Sequence, residues 1–146
     1  MSIAALITWL ITAGFGSFMV RLWVTHGGLR RSGGGASHFP PARVFTHLGL
    51  AVAGLIVWIV YLVTDDQIFA WIAFADLVLV ALLGGLLVRR WASDGRAAMA
   101  AGRQTAAAQP DLAEQHIPRG PVVLHGIFAV STFVLVLLAA AGVGEG

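Results

Sequence analysis

Four apolar runs constrain this chain more than anything else in it. They are roughly Ile3–Val24, Val44–Thr64, Ile68–Val88 and Val122–Val143. Each supplies the roughly 20 apolar residues a helix needs to cross a bilayer. The second and fourth carry no charged residue. In hydrocarbon every backbone N–H and C=O must be satisfied within the chain, so such runs are helices. The expected fold class is therefore all-α: an integral membrane protein with a four-helix transmembrane bundle, residues 1–146 forming a single domain. Composition agrees, with only 11% of residues charged against about 25% in soluble domains. There is no cysteine, which excludes a disulfide framework, an iron–sulfur cluster and a thiolate zinc site. The first run lacks a basic start and a small-residue cleavage site, so it reads as a retained helix and not a signal peptide.

The connections order the helices. Asp65-Asp66-Gln67 is so short that helices two and three form a tight antiparallel hairpin. Gly27–Ser37 and Ala92–Gln115 are longer and loop-like, and Ala97–Ala108 is a candidate short surface helix. All nine basic residues are arginines beside these two loops: Arg21, Arg30, Arg31, Arg43, then Arg89, Arg90, Arg96, Arg103 and Arg119. The opposite side holds Asp65, Asp66 and Glu145. The positive-inside rule puts both long loops in the cytoplasm and both termini outside, in a bacterial plasma membrane. Arginines that flank apolar spans do not form a nucleic-acid surface.

Two stretches repeat. His38-Phe39-Pro40 leads to His47 and Ala51-Val52, and His116-Ile117-Pro118 leads to His125 and Ala129-Val130. Upstream, Val20-Arg21-Leu22-Trp23-Val24-Thr25-His26-Gly27 matches Val88-Arg89-Arg90-Trp91-Ala92-Ser93-Asp94-Gly95, with Gly16 and Gly84 in register. The pattern reads as two tandemly duplicated hairpins, about 1–66 and 67–146, related by a pseudo-two-fold axis along the membrane normal. Helices two and four then run parallel and place His47 and His125 at one depth near the cytoplasmic side.

Two imidazoles from separate helices at one height meet the axial-ligand requirement of a single bis-His haem b. Ala51, Gly54, Ala129 and Thr132 are small enough to leave room for a macrocycle, with Leu50 and Phe128 at its edge. Arg21, Arg89 and Arg90 are the candidate partners of its propionates, and Trp23 and Trp91 the interface anchors or neighbours of the ring. The alternative ligand is zinc held by His47 and His125 with His38 and His116. Nine residues are two and a half helical turns, so His38 and His116 must fold back from a non-helical segment. The competing account makes the His-x-Pro segments capping turns and the inner histidines structural. His26, opposite Asp94 in the repeat, reads as a loop residue. Asp76 is the one carboxylate inside a span, where a charge is costly, so it is a candidate for proton handling, or for a hydrogen bond to Thr8.

The arrangement resembles small four-helix b-type cytochromes in its helix pattern. It departs from two-haem transmembrane cytochromes, which need histidine pairs near both faces. The resemblance implies a subunit that passes electrons between a cytoplasmic-side partner and quinone or a respiratory complex. An alternative of another class is a non-catalytic accessory membrane subunit, whose His/Arg/Trp layer packs the bundle or binds lipid or metal. No nucleophile elbow, phosphate loop or metalloprotease helix is present, so a stand-alone hydrolase or transferase has no support. The expected partners are the lipid bilayer and other proteins of a membrane complex.

Overall fold

A computed structural model describes residues 1–30, 37–101 and 112–143. Among these the chain is all-helical. Helices α1 (Ser2–Thr25), α2 (Pro41–Thr64), α3 (Gln67–Ala101) and α4 (Arg119–Ala140) are joined, before α4, by a 3-10 turn over Ala113–His116. All four are long and apolar enough to cross a membrane.

Local chemistry sets the ends. Pro41 occupies the first position of α2 and Pro118 is the residue that caps α4. A proline has no N–H to leave unpaired at these places. Between α2 and α3, Asp65 adopts the left-handed conformation at φ 54°, one that Asp tolerates better than most residues. The carboxylate of Asp66 then accepts the amide of Ile68 at 3.0 Å. This satisfies one of the open N–H groups of the first turn of α3. Two acids thus make the whole hairpin turn.

The third helix differs from the expectation. It runs unbroken for 35 residues, roughly 50 Å at 1.5 Å per residue, well beyond a hydrocarbon core of about 30 Å. Its arginine-bearing end, past Val88, continues the same helix to Ala101. Residues 97–101 therefore belong to α3 and not to a separate surface helix; the rest of 97–108 lies outside the described residues. Ala, Met and Arg are strong helix formers, and no proline interrupts them before Ala101.

In cross-section, α1 packs along α4 and α2 along α3. Lesser contacts of α3 with α4 and of α1 with α2 close the ring. Helices α2 and α4 therefore stand across one diagonal, α1 and α3 across the other. Two buried clusters hold the bundle. One, toward the Asp65 end, gathers Trp9, Trp58, Tyr61, Leu77 and Val136 around small residues such as Ala5, Ala70, Ala73 and Ala139. The other, toward the arginine-rich end, gathers Trp23, Phe39, Val44, Ala113 and Ile117. Most other large apolar side chains, among them Ile7, Ile56, Val63, Leu82 and Val130, face outward. That is the surface a bilayer solvates. Between helices in lipid, close packing of small residues and interhelical hydrogen bonds are the main attractions. At the Asp65 end Gln67 supplies such bonds, donating to the carbonyls of Ala139 and Ala140 at 2.7 and 2.8 Å and so tying α3 to the end of α4.

Candidate functional site

His47 and His125 are each the seventh residue of their helices. The helices sit on the diagonal, yet the two rings reach across it. Their centroids are 6.4 Å apart and their planes are inclined by 58°. The Nδ1 atom of His47 is 3.0 Å from the carbonyl oxygen of Val80 on α3. That of His125 is 3.0 Å from the carbonyl oxygen of Thr12 on α1. A carbonyl only accepts, so each Nδ1 carries its proton and donates, and each Nε2 is left with its lone pair. Among the described residues neither Nε2 has a hydrogen-bond partner, and neither is among the buried unpaired atoms.

Two glycines make this approach possible. A Cβ on Gly84 would stand 3.0 Å from Cε1 of His47, and one on Gly16 would stand 3.2 Å from Cε1 of His125. Thr12 and Val80 correspond in the alignment of the two hairpins, as do Gly16 and Gly84, so each histidine docks on the opposite unit's first helix at the same place. The next layer follows the same rule. Thr132 of α4 donates to Thr8 of α1 at 2.9 Å, and Gly54 of α2 lies directly against the carboxylate of Asp76 on α3.

That layer limits the space above the histidines. Ala51 and Ala129 remain half-buried small residues beside the pair. Gly54 and Thr132 do not open a slot, because Asp76 and Thr8 fill them. Asp76 does not bond Thr8, as the sequence had suggested. The helices that carry them are diagonal, and the Thr8 hydroxyl donates within α1 to the carbonyls of Ala4 and Ala5 and accepts from Thr132. The Oδ2 atom of Asp76 is buried with no hydrogen-bond partner among the described residues. On the Asp65 side the site is thus closed by a carboxyl and two threonines; any planar group held by the pair must extend level with it or toward the arginine-rich end. Phe128, expected at the edge, stacks there on Phe15 with ring centroids 6.2 Å apart.

The arginines are not drawn to the pair. Arg21 and Arg89 are exposed, and Arg90 meets Asp94 instead, at 3.2 Å. Trp23 is not an interface anchor but a core residue, 1% exposed, whose indole N–H donates to the hydroxyl of Ser37 at 2.8 Å. The outer histidines also go elsewhere. His116 stacks on His26, with centroids 4.0 Å apart and planes 15° apart. His38 lies beside Asp94 and Glu114. Among the described residues no group of three histidines or acids includes the inner pair.

Sequence reasoning passed over Ser37 and Glu114 and treated Asp94 only as the counterpart of His26. The available signal was sparse: Asp94 stands four residues after Arg90, the spacing of a helical ion pair, and Glu114 is an acid just before a His-x-Pro segment at a strongly basic end. Compared with protein-family models, curated proteins and solved structures, the chain matches none.

Proposed function

We propose that this protein is a small membrane subunit that binds one b-type haem between His47 and His125 and passes electrons. The supporting observation is the geometry of that pair. With metal–nitrogen bonds of about 2 Å, two imidazoles on opposite sides of one metal have ring centres about 6 Å apart, close to the 6.4 Å found. Each Nδ1–H is already committed to a main-chain carbonyl. That is the usual outer bond of a metal-bound histidine; it fixes the ring and the tautomer and leaves Nε2 as the ligand. Gly16 and Gly84 keep side chains away from the rings. When bound, haem would supply one-electron chemistry. The residues would supply axial ligation, a fixed orientation and an apolar surround, which together tune its potential. Arg21, Arg89 and Arg90 serve as propionate partners only if their side chains turn inward.

In this reading the chain is a duplicated hairpin, supported by the matching bonds of His47 and His125 to equivalent positions on α3 and α1. The arginine-rich end faces the cytoplasm, both termini face outward, and a bacterial plasma membrane houses the bundle. A quinone or a protein of a respiratory complex is the electron partner. Asp76, half-buried at one edge of the site, is the candidate for proton exchange with quinone.

A second reading has its own observation. The rings already sit within van der Waals reach of the glycine positions, which suits a purely structural layer in an accessory subunit. One experiment separates the two. Protein purified from haem-replete cells is expected to show a Soret band and sharp reduced alpha bands, lost in both His47→Ala and His125→Ala. A colourless, folded wild-type protein would overturn the haem reading and leave the structural one. A reporter fused after Gly146 tests the orientation, since activity in the cytoplasm would reverse it.

A further inference from the structure

Above the arginine-rich end of the bundle, three elements meet through a second polar cluster. Glu114, in the turn before α4, is 0% exposed. Its carboxylate accepts from the Ser37 hydroxyl at 2.7 Å and from the main-chain N–H of His38 at 2.6 Å. Asp94 comes from the extension of α3. Its Oδ1 lies 3.2 Å from Nδ1 of His38, and its side chain is 11% exposed. Its Oδ2 is buried and makes no bond of hydrogen-bond geometry among the described residues, although Nε of Arg90 lies 3.2 Å away. His38 Nδ1 is also 4.0 Å from Oε1 of Glu114. One imidazole nitrogen and two carboxylate oxygens therefore lie within 4.8 Å of one another.

Among the described residues, these two carboxylates, largely withdrawn from water, face one guanidinium, that of Arg90, and a buried charge is favoured only when it is paired. The donor set, one nitrogen and two oxygens, suits zinc and its first-row neighbours. Neighbouring ligands in a tetrahedron around zinc stand about 3.4 Å apart. The two edges at His38, 3.2 and 4.0 Å, bracket that spacing. Glu114 is already oriented by Ser37 and by main chain, as outer bonds orient the carboxylates that ligate metals.

We propose that His38, Asp94 and Glu114 form a binding site for one divalent first-row metal ion, zinc by its ligand set. The site clasps the segment before α2, the extension of α3 and the turn before α4. It shares no ligand with the His47–His125 pair. Its three protein ligands leave a fourth position for water, and His38, 39% exposed, marks the open side.

Purified protein in detergent micelles is stripped with a chelator and titrated with zinc against a chromophoric chelator, then with cobalt(II) to record its visible ligand-field bands. Circular dichroism is recorded for every variant. One zinc per chain is expected. His38→Ala, at an exposed position, and Asp94→Asn are each expected to keep the fold and weaken zinc by at least about 100-fold. His47→Ala is expected to bind zinc as the wild type does. Failure of the wild type to bind stoichiometric zinc would overturn the proposal. So would unchanged zinc affinity in folded His38→Ala, or loss of zinc in folded His47→Ala.

Discussion

Gly54 and Asp76 offer a direct test of how α2 and α3 are set against each other. A Cβ added at Gly54 would run into Oδ2 of Asp76, and would stand 3.0 Å from its Cγ and 3.1 Å from Cζ2 of Trp9. Trp9 cannot yield easily, because it is 3% exposed and its ring lies 6.5 Å from that of Trp58, itself fully buried. Asp76 has only one methylene with which to swing away. Gly54→Ala should therefore force the two helices apart, at the roughly 1–3 kcal/mol typical of overpacking. Asp76→Ala removes two of the three closest atoms. In that background the nearest atom to the added methyl is Cζ2 of Trp9 at 3.1 Å, and the cost should fall to about 1 kcal/mol or less. The double-mutant cycle should then show a coupling of about 1–2 kcal/mol, with the double variant more stable than the single costs add up to. Asp76→Ala alone should cost little, because it deletes a buried oxygen that lacks a partner. The assay is reversible unfolding in mixed micelles with a denaturing detergent, followed by tryptophan fluorescence. An equal cost of Gly54→Ala in both backgrounds would refute the placement of the carboxylate against Gly54.

Two further predictions concern the ends of the bundle. Glu114→Ala, measured in chelator, should destabilise by about 3 kcal/mol, since bonds to a charged acceptor contribute roughly 1.5–3 kcal/mol each and two donors lose theirs; a change under a third of that in the same unfolding assay would show that Glu114 is not a buried anchor. Gln67→Leu frees the last carbonyls of α4 and should cost about 1–2 kcal/mol, at the modest scale of hydrogen bonds between membrane helices, with faster amide exchange confined to the ends of α3 and α4; uniform exchange along α4 would contradict the contact.

The helices were legible because their signal is local. An apolar run of membrane length can satisfy its backbone only as a helix, and Asp65-Asp66 leaves room only for a turn. Where composition alone was read, the boundary moved: the residues from Ala92 onward looked like a loop, but helix propensity carries α3 through to Ala101. Site residues were partly legible. The repeat singled out His47 and His125, and the fold brings their rings together. The repeat could not say that the ring of His47 would bond a main-chain carbonyl of α3 and that of His125 one of α1, since carbonyls leave no trace in a sequence. It also suggested that Gly54 and Thr132 were open space and that Trp23 was a surface anchor. Both depend on which neighbour faces them, and tertiary packing set Asp76, Thr8 and Ser37 there.

By itself, the sequence determined four apolar helices, their alternation, an end rich in arginine and an equivalent position for two histidines. These follow from local hydropathy, turn length and charge, which need no partner to be read. Tertiary structure alone decided which helices are neighbours and which are diagonal. It therefore decided that the inner histidines meet across the bundle while His38 leaves them for Asp94 and Glu114. Those three residues are separated by 56 and 20 positions along the chain, and only the packing of α3's extension against the segments before α2 and α4 brings their charges into one place.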